Sequence, residues 1–174
     1  PDDATEQEEG VLEAAVRAWQ DAGLGLEFER VPRERALLKI AFAEGNAKRA
    51  PAGAATAAAD CAVALGPGVS ARAHRVPARI VRAEIRLRRS NRNVLGREVE
   101  LRPEELAGTL LHEIGHALGF PTHVVDDSAV MSRSVDTVRR AGRKLLANRR
   151  FVDPTLGALY AVPSGTVVGF LPLE

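Results

Sequence analysis

Cysteine occurs once in these 174 residues, at Cys61. No disulfide can close within the chain, and neither a thiolate zinc cluster nor a Cys-x-x-Cys redox pair can form. Aromatic residues make up only 4% of the sequence, so the arginine-rich run from Arg82 to Arg97 has no interleaved rings on which nucleobases could stack. That run reads instead as the solvated face of a strand, and no nucleic-acid partner is expected. No stretch of 18 apolar residues is present, so no spanning helix and no membrane partner are expected. Lysine appears only at 39, 48 and 144, leaving arginine to carry nearly all the positive charge. The net charge of +1 conceals an asymmetry: residues 1–29 hold nine acids and one base, Arg17, while residues 133–150 hold seven bases and one acid, Asp136.

Histidine is equally sparse, yet three of the four fall within twelve positions, His112, His116 and His123. In an α-helix residues four apart lie about 400° and roughly 6 Å apart, so His112 and His116 project from one face and can share an ion. Glu113, about 100° further round, is placed to hydrogen-bond a water on that metal as a base and not as a ligand. Gly119 permits a left-handed helix end. The chain can then fold back and offer His123 as the third ligand, leaving the open position a catalytic zinc needs. The only glutamate after Glu113 is Glu174, which nearly closes the option of a downstream glutamate ligand; an aspartate from 126, 127, 136 or 153 stays open. His74 falls in an irregular segment and is expected at the surface.

The rest of the chain reads as one compact domain over 1–174. Residues 1–9 suit either a frayed start or a first helical turn. Leu12, Ala15, Val16 and Trp19 mark an amphipathic helix over Glu8–Ala22. Leu26 and Phe28, ending at Val31 before Pro32, alternate as a strand, and Leu38, Ile40 and Phe42 repeat the pattern. Residues 43–60 read as a loop with a short helical piece. Cys61–Leu65 reads as a strand stopped by Gly66-Pro67-Gly68, and Ile80–Leu87 as a half-buried strand with Val81, Ala83, Ile85 and Leu87 inward. Pro103, Glu104 and Glu105 open a helix that runs to about Leu118. Val135–Asn148 is a basic amphipathic helix with Val138, Leu145 and Leu146 as its buried stripe, its charged face read as solvated. Pro154 starts a short helix through Tyr160, and Val167–Leu173 is an apolar tail. Alternating helix and strands favour a layered α/β or α+β sheet.

His112-Glu113-x-x-His116-x-x-Gly119, then His123 and Met131, resembles the extended zinc motif and Met-turn of the metzincin peptidases, within them the matrix metalloproteinase-like, bacterial matrixin type. The likeness extends to Ala15–Val31, Leu38–Ala43 and Asp153–Tyr160. It implies an α/β (α+β) metzincin-like domain. Its parts would be a twisted, mostly parallel sheet with an antiparallel edge strand, a backing helix, an active-site helix, and a smaller C-terminal subdomain (about 120–174) below an N-terminal one (about 1–119).

The likeness further implies a zinc endopeptidase with one catalytic Zn2+, a protein or peptide substrate, a monomeric state and a secreted or extracytoplasmic address. That address presumes a signal or pro-segment outside these residues. Met131 would form a packing floor beneath the zinc, and Ala62, Val63 and Ala64 would lie on the edge strand that pairs with substrate. Three departures stand out. Three residues, Phe120, Pro121 and Thr122, separate Gly119 from His123 where the family pattern has two. The His- and Asp-rich loops for further metals are missing between Gly45 and Arg79. No inhibitory-cysteine segment is present, and Cys61 is expected as a buried small apolar residue. The alternative to a protease is a catalytically inactive zinc-binding or protein-interaction module of the same fold.

Overall fold

The computed structural model describes residues 4–22, 26–44, 59–65, 80–93, 95–120, 123–124 and 129–147, with backbone alone at 60, 63–65 and 80. The expected helix at 153–160, the apolar tail, His74 and the stretches 45–58 and 66–79 lie outside these residues.

Helix α1 (Glu6–Gln20) starts at a capping box: the Thr5 hydroxyl accepts from the Glu8 N–H at 3.3 Å, and Glu8 Oε2 accepts from the Thr5 N–H at 2.7 Å. Of the two readings of residues 1–9, the first helical turn is therefore the one adopted from Glu6 onward. Glu8 is buried, and Arg89 grips it with Nε on Oε1 at 2.8 Å and Nη2 on Oε2 at 3.1 Å. Burial alone would push the Glu8 carboxyl up, but the bonds from Arg89 and Thr5 outweigh it and hold the carboxyl below its usual range.

Strands β1 (Leu38–Ala43), β2 (Ala59–Leu65) and β3 (Ile80–Arg88) form a mixed sheet in the order β1-β3-β2. β1 runs parallel to β3 with Ile40 opposite Ile85, and β2 runs antiparallel with Cys61 opposite the same residue. Among the described residues the sheet is thus mixed in equal parts, one parallel and one antiparallel pairing, and β2 is the antiparallel edge. Central β3 alternates as its sequence demands: Ala83, Ile85 and Leu87 are buried, while Glu84 on the wet face bonds Arg86. Val81, at the start of the strand, is 39% exposed and does not join the buried row.

The expected strand at Leu26–Val31 does not form. Alternation puts Phe28 against the core, but a strand also needs a neighbour for its backbone, and among the described residues none lies alongside. Pro32 ends the segment in a turn, its carbonyl accepting from the Arg35 N–H at 2.9 Å. A hairpin not anticipated from the arginine-rich run, β4 (Ser90–Arg92) with β5 (Glu98–Glu100), follows β3. Asn93 organises its turn by accepting from the Leu95 and Arg97 N–H groups, both at 3.0 Å.

Helix α2 (Pro103–Ala117) carries the histidine motif and buries Leu106, Leu110, Leu111 and Ile114. Trp19 of α1 is fully buried, and its indole N–H donates to the Leu111 carbonyl at 3.1 Å, pinning α2 one residue before His112. Helix α3 (Val135–Leu146), capped by Ser134, crosses α2 where the two backbones touch: a β carbon on Gly108 would strike the Val138 carbonyl, and one on Gly142 the Glu104 carbonyl. Arg139 locks the crossing, donating to Glu105 Oε1 from Nε at 3.0 Å and from Nη2 at 2.6 Å. The buried residues of α3 are Thr137, Gly142 and Leu145. Leu146, expected in that stripe, is 40% exposed, because it lies about 100° round from Leu145 and the narrow contact permitted by the glycines does not reach it.

Candidate metal centre

The last turn of α2 and the loop after it assemble the site. The helix ends at Leu118, and Gly119 takes the left-handed conformation at φ +108°. The Phe120 N–H donates to the Gly115 carbonyl at 3.1 Å and the Gly119 N–H to the His116 carbonyl at 3.0 Å, a Schellman closure. The reversed chain brings His123 back over the helix, its ring centroid 5.0 Å from that of His112 and 5.1 Å from that of His116. One ligand atom from each of the three histidines lies within 4.8 Å of the others. The residue added between Gly119 and His123 does not keep the third imidazole away; Pro121 and Thr122 themselves lie outside the described residues.

Two backbone carbonyls orient the rings. His112 Nδ1 lies 2.6 Å from the Val130 carbonyl, and His116 Nδ1 lies 2.6 Å from the Phe120 carbonyl. A carbonyl only accepts, so in each neutral ring Nδ1–H donates and the Nε2 lone pair is left for something else. The two Nε2 atoms face each other at 3.2 Å. Two lone pairs so placed repel unless a cation lies between them. Nitrogens held at roughly 2.0–2.1 Å in a tetrahedral zinc site stand about 3.3 Å apart, so the pair is at ligand spacing. Burial, with the charges of His116 and His123 opposing the proton against the Val130 bond, lowers the His112 pKa to about 4. His123 is lowered by burial and by the charges of His116 and Arg133. The donor set fits a zinc ion: three imidazole nitrogens gathered in one place, two of them with tautomers fixed by backbone carbonyls.

Beneath the rings, the turn at Ala129–Ser132 supports the helix. Met131 is fully buried with its sulfur against Gly115, where a β carbon would occupy its place. The Met131 carbonyl accepts from the Val124 N–H at 2.9 Å, tying the turn to the residue after His123. The same turn supplies the Val130 carbonyl, so the packing of Met131 and the aim of His112 are set by one piece of backbone.

Glu113 is partly buried on α2, one residue along from His112 and not among the clustered nitrogens. Its carboxylate is close enough to Cys61 on β2 to act on the thiol, whose pKa burial and then the Glu113 charge push up to about 11. Cys61, expected as a buried small apolar residue, is a half-buried thiol packed against the core. Ala62 is exposed on edge strand β2, and Val63 and Ala64 pair with Ala83 and Arg82 on its inner side. Of the aspartates considered as a third ligand, Asp136 lies on α3 and pairs with Arg139 at 3.4 Å, away from the cluster; 126, 127 and 153 lie outside the described residues.

The matrixin family profile matches residues 1–148. This chain belongs to the matrixin family. No curated protein and no solved structure gave a match. Matrixins are zinc-dependent metallopeptidases that act on proteins and peptides and are typically extracellular. Among the described residues of this matrixin no helix is long and apolar enough to cross a membrane. Sequence reasoning about this matrixin missed the two carbonyls that fix the imidazoles, which carry no sequence signal because every residue has one. It also missed Gly115, whose signal was readable: a glycine inside the helical motif that the buried Met131 requires.

Proposed function

We propose that this matrixin is an endopeptidase whose single catalytic zinc is held by His112, His116 and His123, with Glu113 as general base. The observation that carries the reading is the opposed Nε2 pair at 3.2 Å, its tautomers set by the Val130 and Phe120 carbonyls, with His123 folded against it and an acid one residue along the same helix. Zinc bound there supplies Lewis acidity, bringing a water towards ionisation near neutral pH and polarising a peptide carbonyl. Glu113 accepts the proton of the attacking water and returns it to the leaving amine nitrogen. Ala62, Val63 and Ala64 offer backbone donors and acceptors on the outer edge of β2 to an extended substrate, a mode that reads main chain more than side chains. Met131 serves as a packing floor. The single domain spans 1–174, with the smaller part beginning near 120, and acts as a secreted monomer.

One preparation tests the reaction. Zinc-loaded protein should cleave an unfolded generic protein, lose that activity to a chelator, and lose it in Glu113→Ala while still binding one zinc. Undiminished cleavage by Glu113→Ala would remove the assigned base. Cleavage by neither form, with one zinc bound, would make the chain a zinc-binding module instead. Full zinc affinity in His123→Ala would remove that ligand.

A further inference from the structure

Arg133 lies on the turn that carries Met131, and that turn is tied to the segment carrying His123. Val124 and Ser132 form a parallel bridge, so His123 precedes one side of it and Arg133 follows the other. Met131 and Ser132 are both buried, and the chain turns outward after the bridge. Arg133 is left in solvent. The bridge holds it on the segment alongside the one that carries His123. Among the described residues no carboxylate pairs with Arg133, and Asp136 on the adjoining first turn of α3 is engaged by Arg139. α3 starts two residues later, so the positive end of its dipole adds to the same field.

From this juxtaposition we infer that Arg133 is a specificity-determining residue: a cation at the rim of the histidine triad that favours peptides carrying Asp or Glu near the scissile bond. The hydrolytic part rests on the endopeptidase reading; the binding preference does not. A peptide laid across the triad passes within a side chain's length of Arg133. There a carboxylate can take two parallel N–H···O bonds from the guanidinium, whereas a lysine meets like charge. The pair forms at the surface, so the preference is a matter of several-fold and not of orders of magnitude.

The test uses zinc-loaded protein and fluorogenic peptides identical except for Glu, Gln or Lys, placed in turn at each of the positions flanking the cleaved bond. At the responsive position the Glu-to-Lys ratio of kcat/KM should be about fivefold. It should fall towards one in Arg133→Ala, invert in Arg133→Glu, and fade above about 0.5 M salt. Equal rates in the natural chain, or a ratio that survives both substitutions, would overturn the inference. So would a preference that appears only when Asp126→Asn and Asp127→Asn are combined, because the cation would then be neutralised within the chain. Binding gives a second readout, through fluorescence anisotropy of labelled Glu and Lys peptides on zinc-loaded Glu113→Ala. If the natural chain cleaves nothing, yet the Glu peptide binds several-fold more tightly and Arg133→Ala abolishes the difference, the role of Arg133 stands and the endopeptidase reading falls. Neither cleavage nor charge-dependent binding would overturn both.

Discussion

Gly10, Gly108 and Gly115 all lie inside helices, so alanine at any of them gains about 1 kcal/mol of helix propensity; what differs is what the new methyl group meets. At Gly10 it meets nothing within 4 Å, and the full gain is expected, a rise in Tm of about 2–4 °C. At Gly115 it lands on the sulfur of Met131 and 3.2 Å from its terminal methyl. The thioether is flexible, but it is fully buried, and overpacking of that kind costs about 1–3 kcal/mol, which cancels or exceeds the propensity gain. Moving Met131 also moves the adjoining Val130 carbonyl that aims His112. Disturbing such a partner of a metal-binding histidine typically lowers affinity by about 10–100-fold. At Gly108 the methyl meets the backbone of α3, which has no flexible atom to yield. The helices must part and the Arg139–Glu105 contact with them, a loss of about 3 kcal/mol or more. Urea unfolding followed by the fluorescence of Trp19, the only tryptophan and fully buried, reads the stabilities, and zinc titration against a chromophoric chelator reads the site. Stability should rank Gly10→Ala above the natural chain, then Gly115→Ala, then Gly108→Ala. Natural stability in Gly108→Ala would refute the close crossing of α2 and α3. Natural zinc affinity in Gly115→Ala would refute the coupling of Met131 to His112.

Further outcomes follow from single contacts. Zinc at a hundredfold excess over its Kd should stabilise the fold by about 2.7 kcal/mol, seen as a Tm shift that His112→Ala removes. Glu105 feels burial, which raises its pKa, but the bonds from Arg102 and Arg139 outweigh it and bring the carboxyl down to about 2 from 4.5. Because the folded value is the lower one, this stabilisation is present above pH 4.5 and is lost as pH falls towards 2. Its size is about 2 kcal/mol, and Glu105→Gln should flatten the acid limb of stability against pH. A limb unchanged by that substitution would count against the pairing. Trp19→Phe deletes the donor to the Leu111 carbonyl, costing about 1 kcal/mol, and also empties part of the fully buried indole's space, so a total loss of about 2 kcal/mol is expected, to be measured by circular dichroism because the fluorophore is lost.

Legibility followed locality. α2 and α3 were readable because their signals lie within the helices themselves: Pro103 with two glutamates opens α2, and a basic amphipathic pattern marks α3. β3 was readable because alternation is a property of one strand. Leu26–Val31 carries the same alternation and forms no ladder, since pairing depends on a neighbour that the segment itself does not encode. Leu146 was misplaced for a related reason: the apolar stripe gives the direction of burial, while the width of the contact is set by how closely Gly108 and Gly142 let the helices approach.

At the candidate metal centre the sequence by itself determined the donor types, the four-residue spacing that aligns His112 with His116, and a glycine able to reverse the chain. These are consequences of helix geometry and of which side chains hold lone pairs. Only the tertiary structure decided that His123 closes on the pair despite the longer turn, that the Val130 and Phe120 carbonyls fix both tautomers, and that the segment of Arg133 is bridged to the one carrying His123. Each of those depends on backbone brought together from separate elements, and a carbonyl oxygen is the same in every residue until the fold gives it a direction.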